Sequence, residues 1–224
     1  ADGADPSDGG VAASAGCASS PVDGRGPGTG PVERTLDVDG VQREYVAWLP
    51  AGHDGTVPLP VVADFHGAGG TARGHAEQSS RLAELGPERG YLVVAGQAVA
   101  NSSGGVGWQK SVDETPDDLA YFRAVLDDLA ATHCVDRDRV YATGFSSGAG
   151  FTAFAACELP ELAAVAPLAG VNLVRPCPDA PPVPVVSFHG DADTFVAFEG
   201  VPGIDDVDGT TTSFIGDVTE VMDV

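Results

Sequence analysis

The chain is poor in positive charge. It has one lysine, Lys110, and eleven Lys and Arg together against 33 Asp and Glu, for a net charge of −22. So acidic a surface repels phosphate backbones and anionic headgroups. It argues against nucleic acid and membranes as partners, and reads as solubility or as life in salt or outside the cell. Long hydrophobic runs are also missing: none approaches the roughly 18 apolar residues of a membrane span, although 43% of the residues are hydrophobic. The four cysteines, Cys17, Cys134, Cys157 and Cys177, lack C-x-x-C spacing. That speaks against a zinc or thiol-redox site, and no metal is expected. Their even number fits two disulfides in an oxidising compartment, with free buried thiols as the alternative. No initiator Met opens the chain, which starts on a polar run, Ala1–Gly10. This reads as a mature or trimmed N-terminus rather than a native start.

What the chain has in quantity is glycine, 30 residues, and two of these bracket a serine. A short apolar strand, Arg139–Thr143, runs into Gly144-Phe145-Ser146-Ser147-Gly148, and an Ala-rich helix, Ser147–Cys157, follows. Strand, glycine-flanked serine, then helix is the nucleophile elbow of serine hydrolases. A turn that tight holds the serine Oγ clear of both elements, and side chains two residues either side would collide. The helix start that follows aims its N–H groups at the place where an oxyanion would form.

Around the elbow the pattern is one of alternating strands and helices. Residues 1–30, rich in Gly, Ser, Asp and Pro, read as a flexible linker, and 31–224 as a single catalytic domain. Thr35–Val38 and Arg43–Leu49 flank an Asp39-Gly40 turn as a hairpin. Pro60–Phe65, Tyr91–Ala95, Ala163–Leu168 and Pro184–Phe188 read as buried strands, and Gly74–Leu85 and Asp117–Thr132 as helices. The expected fold class is α/β: a mostly parallel sheet with helices on both faces.

A hydrolase site needs more than its nucleophile. His66-Gly67-Ala68-Gly69-Gly70 follows the Pro60–Phe65 strand, where a second oxyanion donor belongs, so Ala68 N–H and Ser147 N–H are the candidate donors. A carboxylate to orient the base is expected past a later strand. Asp193 is preferred, with Asp191 as competitor, because Asp193 lies further from the strand end and precedes the apolar Phe195-Val196. The base itself is the difficulty. His53, His66, His75, His133 and His189 all precede Asp193, whereas the order in this fold is Ser, Asp, His. His66 and His189 sit before glycines at strand ends, as loop braces. His133 falls at the foot of the sheet, and His53 and His75 read as exposed. Phe214, Ile215, Val218, Val221 and Met222 share a helical face that stops at Val224 with no cap. The chain is therefore expected to be incomplete, with the last strand, a closing helix and the catalytic His beyond it.

Together these segments resemble the α/β-hydrolase esterases of the poly(3-hydroxybutyrate) depolymerase group, which includes feruloyl and acetylxylan esterases of carbohydrate esterase family 1. The resemblance runs from about Gly16 to Val224. It rests on Ala15-Gly16-Cys17, Phe65-His66-Gly67, Asp117-Asp118, Cys134-Val135-Asp136, Arg139–Ser146, Ala156-Cys157-Glu158, Ala163–Pro167 and Pro184–Asp193. It implies Ser146 as nucleophile, Asp193 as triad acid, Ala68 and Ser147 as oxyanion donors, secretion, and no cofactor. Because the cysteines of similar proteins form bridges, it also implies Cys157–Cys177 and Cys17–Cys134. The implied activity is hydrolysis of a carboxylic ester, a feruloyl or acetyl group on plant polysaccharide, by a monomer. A short-chain polyester depolymerase is the close alternative, and a non-catalytic binding module lacking the His is the alternative of another class.

Three smaller signals remain. Trp108 and Phe195 read either as an aromatic wall for the substrate or as ordinary packing. Asp205-Asp206-Val207-Asp208-Gly209 is carboxylate-dense, but without the spaced ligands and distal Glu of a calcium loop it reads as an acidic turn. Asn101-Ser102-Ser103 is a glycosylation sequon.

Overall fold

The computed structural model describes residues 14–17, 30–101, 104–201 and 216–222. Six strands form one sheet: β1 (Val32–Val38), β2 (Val41–Trp48), β3 (Leu59–Phe65), β4 (Leu92–Gly96), β5 (Val135–Phe145) and β6 (Ala164–Leu168), in the order β1-β2-β4-β3-β5-β6. β1 and β2 form the expected hairpin, and β2 also runs antiparallel to β4. The pairs β4–β3, β3–β5 and β5–β6 are parallel.

Helices cover both faces. α3 (Asp118–Thr132) and α4 (Ser147–Glu158) lie on one. There Phe122, Val125, Leu126, Leu129, Phe151 and Phe154 pack on the alternate strand residues Val61, Ala63, Phe65, Val94, Val140 and Ala142. Each large side chain removed from water contributes about 1.5–3 kcal/mol, so this layer carries most of the core. The opposite face is thinner. α1 (Ala72–Gly74), a π-helical turn over His75–Ser79, and α2 (Leu82–Glu88) place Ala72, Ala76, Leu82 and Ala83 against Val46, Trp48, Val62, Val93 and Ala95.

Two expected elements differ. The helix read over Gly74–Leu85 is broken at Ser80-Arg81, where Arg81 takes φ 58°. Asp64 on β3 explains the break: its carboxylate accepts from Ser80 Oγ at 2.6 Å and lies 3.1 Å from His75 Nε2. His75, expected exposed, is therefore largely buried, and His53 is half-buried. The Pro184–Phe188 strand adds to the sheet beside β6 through two parallel bridges, Val165–Val185 and Leu168–Phe188. Pro184 has no N–H to donate, so its carbonyl alone joins the ladder, accepting from Val165.

Both expected disulfides are present. Cys17–Cys134 spans 117 residues and Cys157–Cys177 spans 20. The first ties down the described segment at 14–17. Ser14 Oγ donates to His133 O and accepts from Val135 N, and Gly16 N donates to Ala130 O. The C-terminal α5 (Val218–Met222) is anchored by Asn172, whose side-chain amide donates to Ala197 O and Gly216 O. Asp205–Gly209, Phe214, Ile215 and Ser102-Ser103 lie outside the described residues.

Candidate active site

The carboxyl edge of the sheet gathers most of the residues singled out above. β5 ends at Phe145 and α4 starts at Ser147, so Ser146 is the whole turn between them, at φ 53° and ψ −116°. A non-glycine residue there is strained, and such strain persists only where its surroundings enforce it. The enforcement is visible. A Cβ on Gly148 would come 2.1 Å from Phe65 O, and one on Gly144 would come 2.5 Å from Gly148 O. The start of α4 is thus pressed against the ends of β3 and β5 more closely than any side chain allows. A serine before a helix ordinarily turns its Oγ back to cap the helix. Ser146 makes no such bond, which leaves its Oγ available for chemistry.

The glycine loop 66–70 forms the neighbouring wall. A Cβ on Gly67 would lie 3.5 Å from Ser146 Cβ, so this loop borders the serine directly. His66 braces it as expected. Its Nδ1 donates to Gly67 O at 2.7 Å, and its Nε2 accepts from Ala98 N at 3.1 Å. Both partners demand the neutral ring, and burial holds its pKa below the ordinary imidazole value.

The third segment is stitched on by backbone hydrogen bonds. Ser146 N donates to Leu168 O, and Ala169 N donates to Phe188 O. The turn carrying Asp193 thus begins one strand beyond β6. Asp193 Oδ1 accepts from Phe195 N at 2.8 Å and Val196 N at 3.0 Å. Those N–H groups, Val196 foremost, hold its carboxyl below the usual carboxylate range. Its Oδ2 faces His189 Nε2 at 3.8 Å. Asp191 is exposed.

None of the five histidines sits as a free base. His66 uses both ring nitrogens. His75 faces Asp64, on the sheet face away from α3 and α4. His133 caps α3 at the opposite edge. His53 lies in the loop before β3. His189 donates from Nε2 to Val196 O at 2.7 Å, and its Nδ1 is buried with no hydrogen-bond partner among the described residues.

The two aromatic candidates separate. Phe195 is 93% exposed beside Asp193, whereas Trp108 is 1% exposed and belongs to the core. The wall reading therefore fails for Trp108: its ring is stacked on Phe151 and Tyr121, and Phe65 stands edge-on to it. Sequence reasoning missed a buried ion pair, whose Arg43 lies over the Tyr121 ring. Arg43 on β2 meets Asp118 at the start of α3 at 2.6 Å, with both side chains 1% exposed. Asp118 also accepts from Gln109 N. Burial raises the Asp118 pKa, against the pull of Arg43.

The sequence matches the dienelactone hydrolase family over residues 47–209. The chain belongs to that family. Its relatives carry esterase names. Feruloyl esterase B of Piromyces equi is 29% identical over 182 residues, 78% of this chain and 33% of that protein. The putative esterase NocK of Nocardia uniformis subsp. tsuyamanensis is 36% identical over 162 residues, 68% of this chain and 44% of that protein. The chain thus spans less than half the length of either relative. A thermostable esterase of known structure superposes with a TM-score of 0.58 at 22% identity, over 75% of this chain and 48% of that one. That likeness concerns the fold: this member of the dienelactone hydrolase family has the α/β-hydrolase architecture expected from its elbow. Among the described residues no helix is long and apolar enough to cross a membrane, and no group of His, Cys, Asp and Glu is placed to hold a metal ion.

Proposed function

We propose that the protein is a secreted serine hydrolase of carboxylic esters that works through an acyl-enzyme. The observation that carries this reading is Ser146 in its strained turn, uncapped, beside the glycine loop. Ser146 Oγ attacks the ester carbonyl carbon while its proton passes to a histidine. The N–H groups of Ala68 and Ser147 hold the resulting oxyanion, a contribution of about 3 kcal/mol for each well-placed donor. The C–O bond then breaks, and the histidine returns the proton to the leaving alcohol. Water attacks the acyl-Ser146 in the same manner and releases the carboxylic acid. Asp193 orients the histidine. Its Oδ1 is fixed by two N–H groups, and Oδ2 remains to accept from an imidazole. The places of the five histidines support a base supplied by a part of the protein outside these 224 residues.

For the substrate we favour feruloyl or acetyl esters on plant polysaccharide. The names of the relatives support this class, and the exposed Phe195 beside Asp193 offers a face for an aromatic acyl group. Two disulfides among the described residues support an extracellular setting. The test compares turnover of methyl ferulate, acetylated xylan and polyhydroxybutyrate by the complete protein. Methyl ferulate or acetylated xylan is expected to be hydrolysed fastest. Preference for polyhydroxybutyrate would replace the substrate class, and no turnover of any ester would refute the enzyme.

A further inference from the structure

The two proposed oxyanion donors sit on different elements, Ala68 after β3 and Ser147 at the head of α4, and their spacing must be held to a fraction of an ångström. We propose that Trp108 is the positioning residue that sets this spacing. The inference rests on the ester-hydrolase reading of the site and deepens it.

Trp108 lies in the connection between β4 and α3, and all three of its polar groups are bonded, both N–H groups to residues of the site and the carbonyl within its own segment. Its backbone N–H donates to Ser147 Oγ at 3.1 Å. Its indole Nε1–H donates to His66 O at 2.8 Å. Its carbonyl accepts from Lys110 Nζ at 2.7 Å. Two residues earlier, Val106 O accepts from Gly69 N at 2.9 Å. Segment 106–110 therefore straps the 66–70 loop to the head of α4. The strap is attached within two residues of Ala68 on one side, and on Ser147 itself on the other.

The approach is built for this contact. A Cβ on Gly107 would come 3.1 Å from Ser147 Oγ, and one on Gly96 would come 3.0 Å from the far edge of the indole. The ring cannot shift to relieve a poor bond. Phe151 of α4 stacks on it at 5.4 Å, Tyr121 of α3 at 6.3 Å, and Phe65 at the end of β3 stands edge-on at 5.0 Å. A buried indole needs some acceptor for its N–H. Here the acceptor is a carbonyl of the oxyanion loop, and the residue's main-chain N–H is spent on a side chain of the elbow. General core packing requires neither choice.

The experiment uses the complete protein with Trp108→Phe, and with a benzothienyl analogue of tryptophan placed at 108. The analogue keeps the ring's shape and removes its N–H, so it holds the core together if the phenylalanine variant does not fold. Four quantities are read: kcat and KM on methyl ferulate, affinity for a boronic acid whose tetrahedral adduct presents an oxyanion, and amide exchange over Gly67–Gly70. The expected result is a fall of about 10–100-fold in kcat, matched by the loss of boronate affinity, with KM nearly unchanged. Exchange at Gly67–Gly70 is expected to quicken. Wild-type kcat and boronate affinity in a folded variant would overturn the proposal, as would a rise in KM alone. If the unaltered protein hydrolyses no ester, the ester-hydrolase reading falls. The exchange measurement then judges the strap alone, and unchanged protection in the analogue rejects it.

Discussion

Asp193 shows how much at this site depends on single residues. One carboxylate oxygen is held by the Phe195 and Val196 amides, which fixes the carboxylate in one orientation with the other oxygen free of those bonds. Asp193→Asn is expected to lower kcat by about 10⁴-fold, as expected when the orienting group can no longer fix the imidazole tautomer. Asp191→Asn should leave kcat unchanged, since that side chain is exposed. Steady-state kinetics on both variants checks this. His66 gives a pH effect. Its folded pKa is lowered by burial, so the unfolded chain takes up the proton first as pH falls. Its contribution to stability is complete above the ordinary imidazole value of 6.5 and is lost as pH falls from there to the lowered value. The urea midpoint should therefore drop between pH 7.5 and 5.5, and His66→Gln should flatten that slope. Some slope will persist, because burial lowers His53 as well.

At the scale of elements, the elbow could be read in advance because its signal is local. Gly144, Ser146 and Gly148 lie within five residues, and the strand and helix that they join touch them. The broken helix near Ser80 could not be, because its cause is Asp64, which lies 16 residues back on another element. The choice left open for Trp108, between wall and packing, could not be made for the same reason: its partners, His66 and Ser147, lie 42 and 39 residues away. Arg43 and Asp118 are 75 residues apart and gave no sign of pairing. Two predictions belong here. Gly148→Ala drives a methyl group into Phe65 O, with 2.1 Å available. It should cost about 3 kcal/mol, measured by urea unfolding, and abolish activity. Arg43→Met strands the Asp118 carboxylate in the core and should cost about 3–5 kcal/mol. Adding Asp118→Asn should recover much of that loss. A single variant as stable as wild type would show that the pair does not join β2 to α3.

At the scale of the molecule, a parallel sheet with helices on both faces was legible from the alternation of apolar strands and amphipathic helices. The antiparallel β2–β4 pairing was not, because no local signal says which strand a hairpin will join. The bridges work on the whole chain. Closing 117 residues restricts the unfolded state more than closing 20. Replacing Cys17 and Cys134 by alanine should therefore destabilise the protein by about 5 kcal/mol, against about 3 for Cys157 and Cys177. Thermal unfolding of the two double variants gives the order. The account as a whole turns on Ser146 as the group that is acylated. The most direct measurement mixes the complete protein with methyl ferulate, quenches in acid, and locates the acyl group by peptide mass spectrometry. The account predicts a feruloyl adduct on the peptide that contains Ser146, with neither adduct nor turnover in Ser146→Ala. Turnover that survives in Ser146→Ala, or an adduct on another residue, would contradict it.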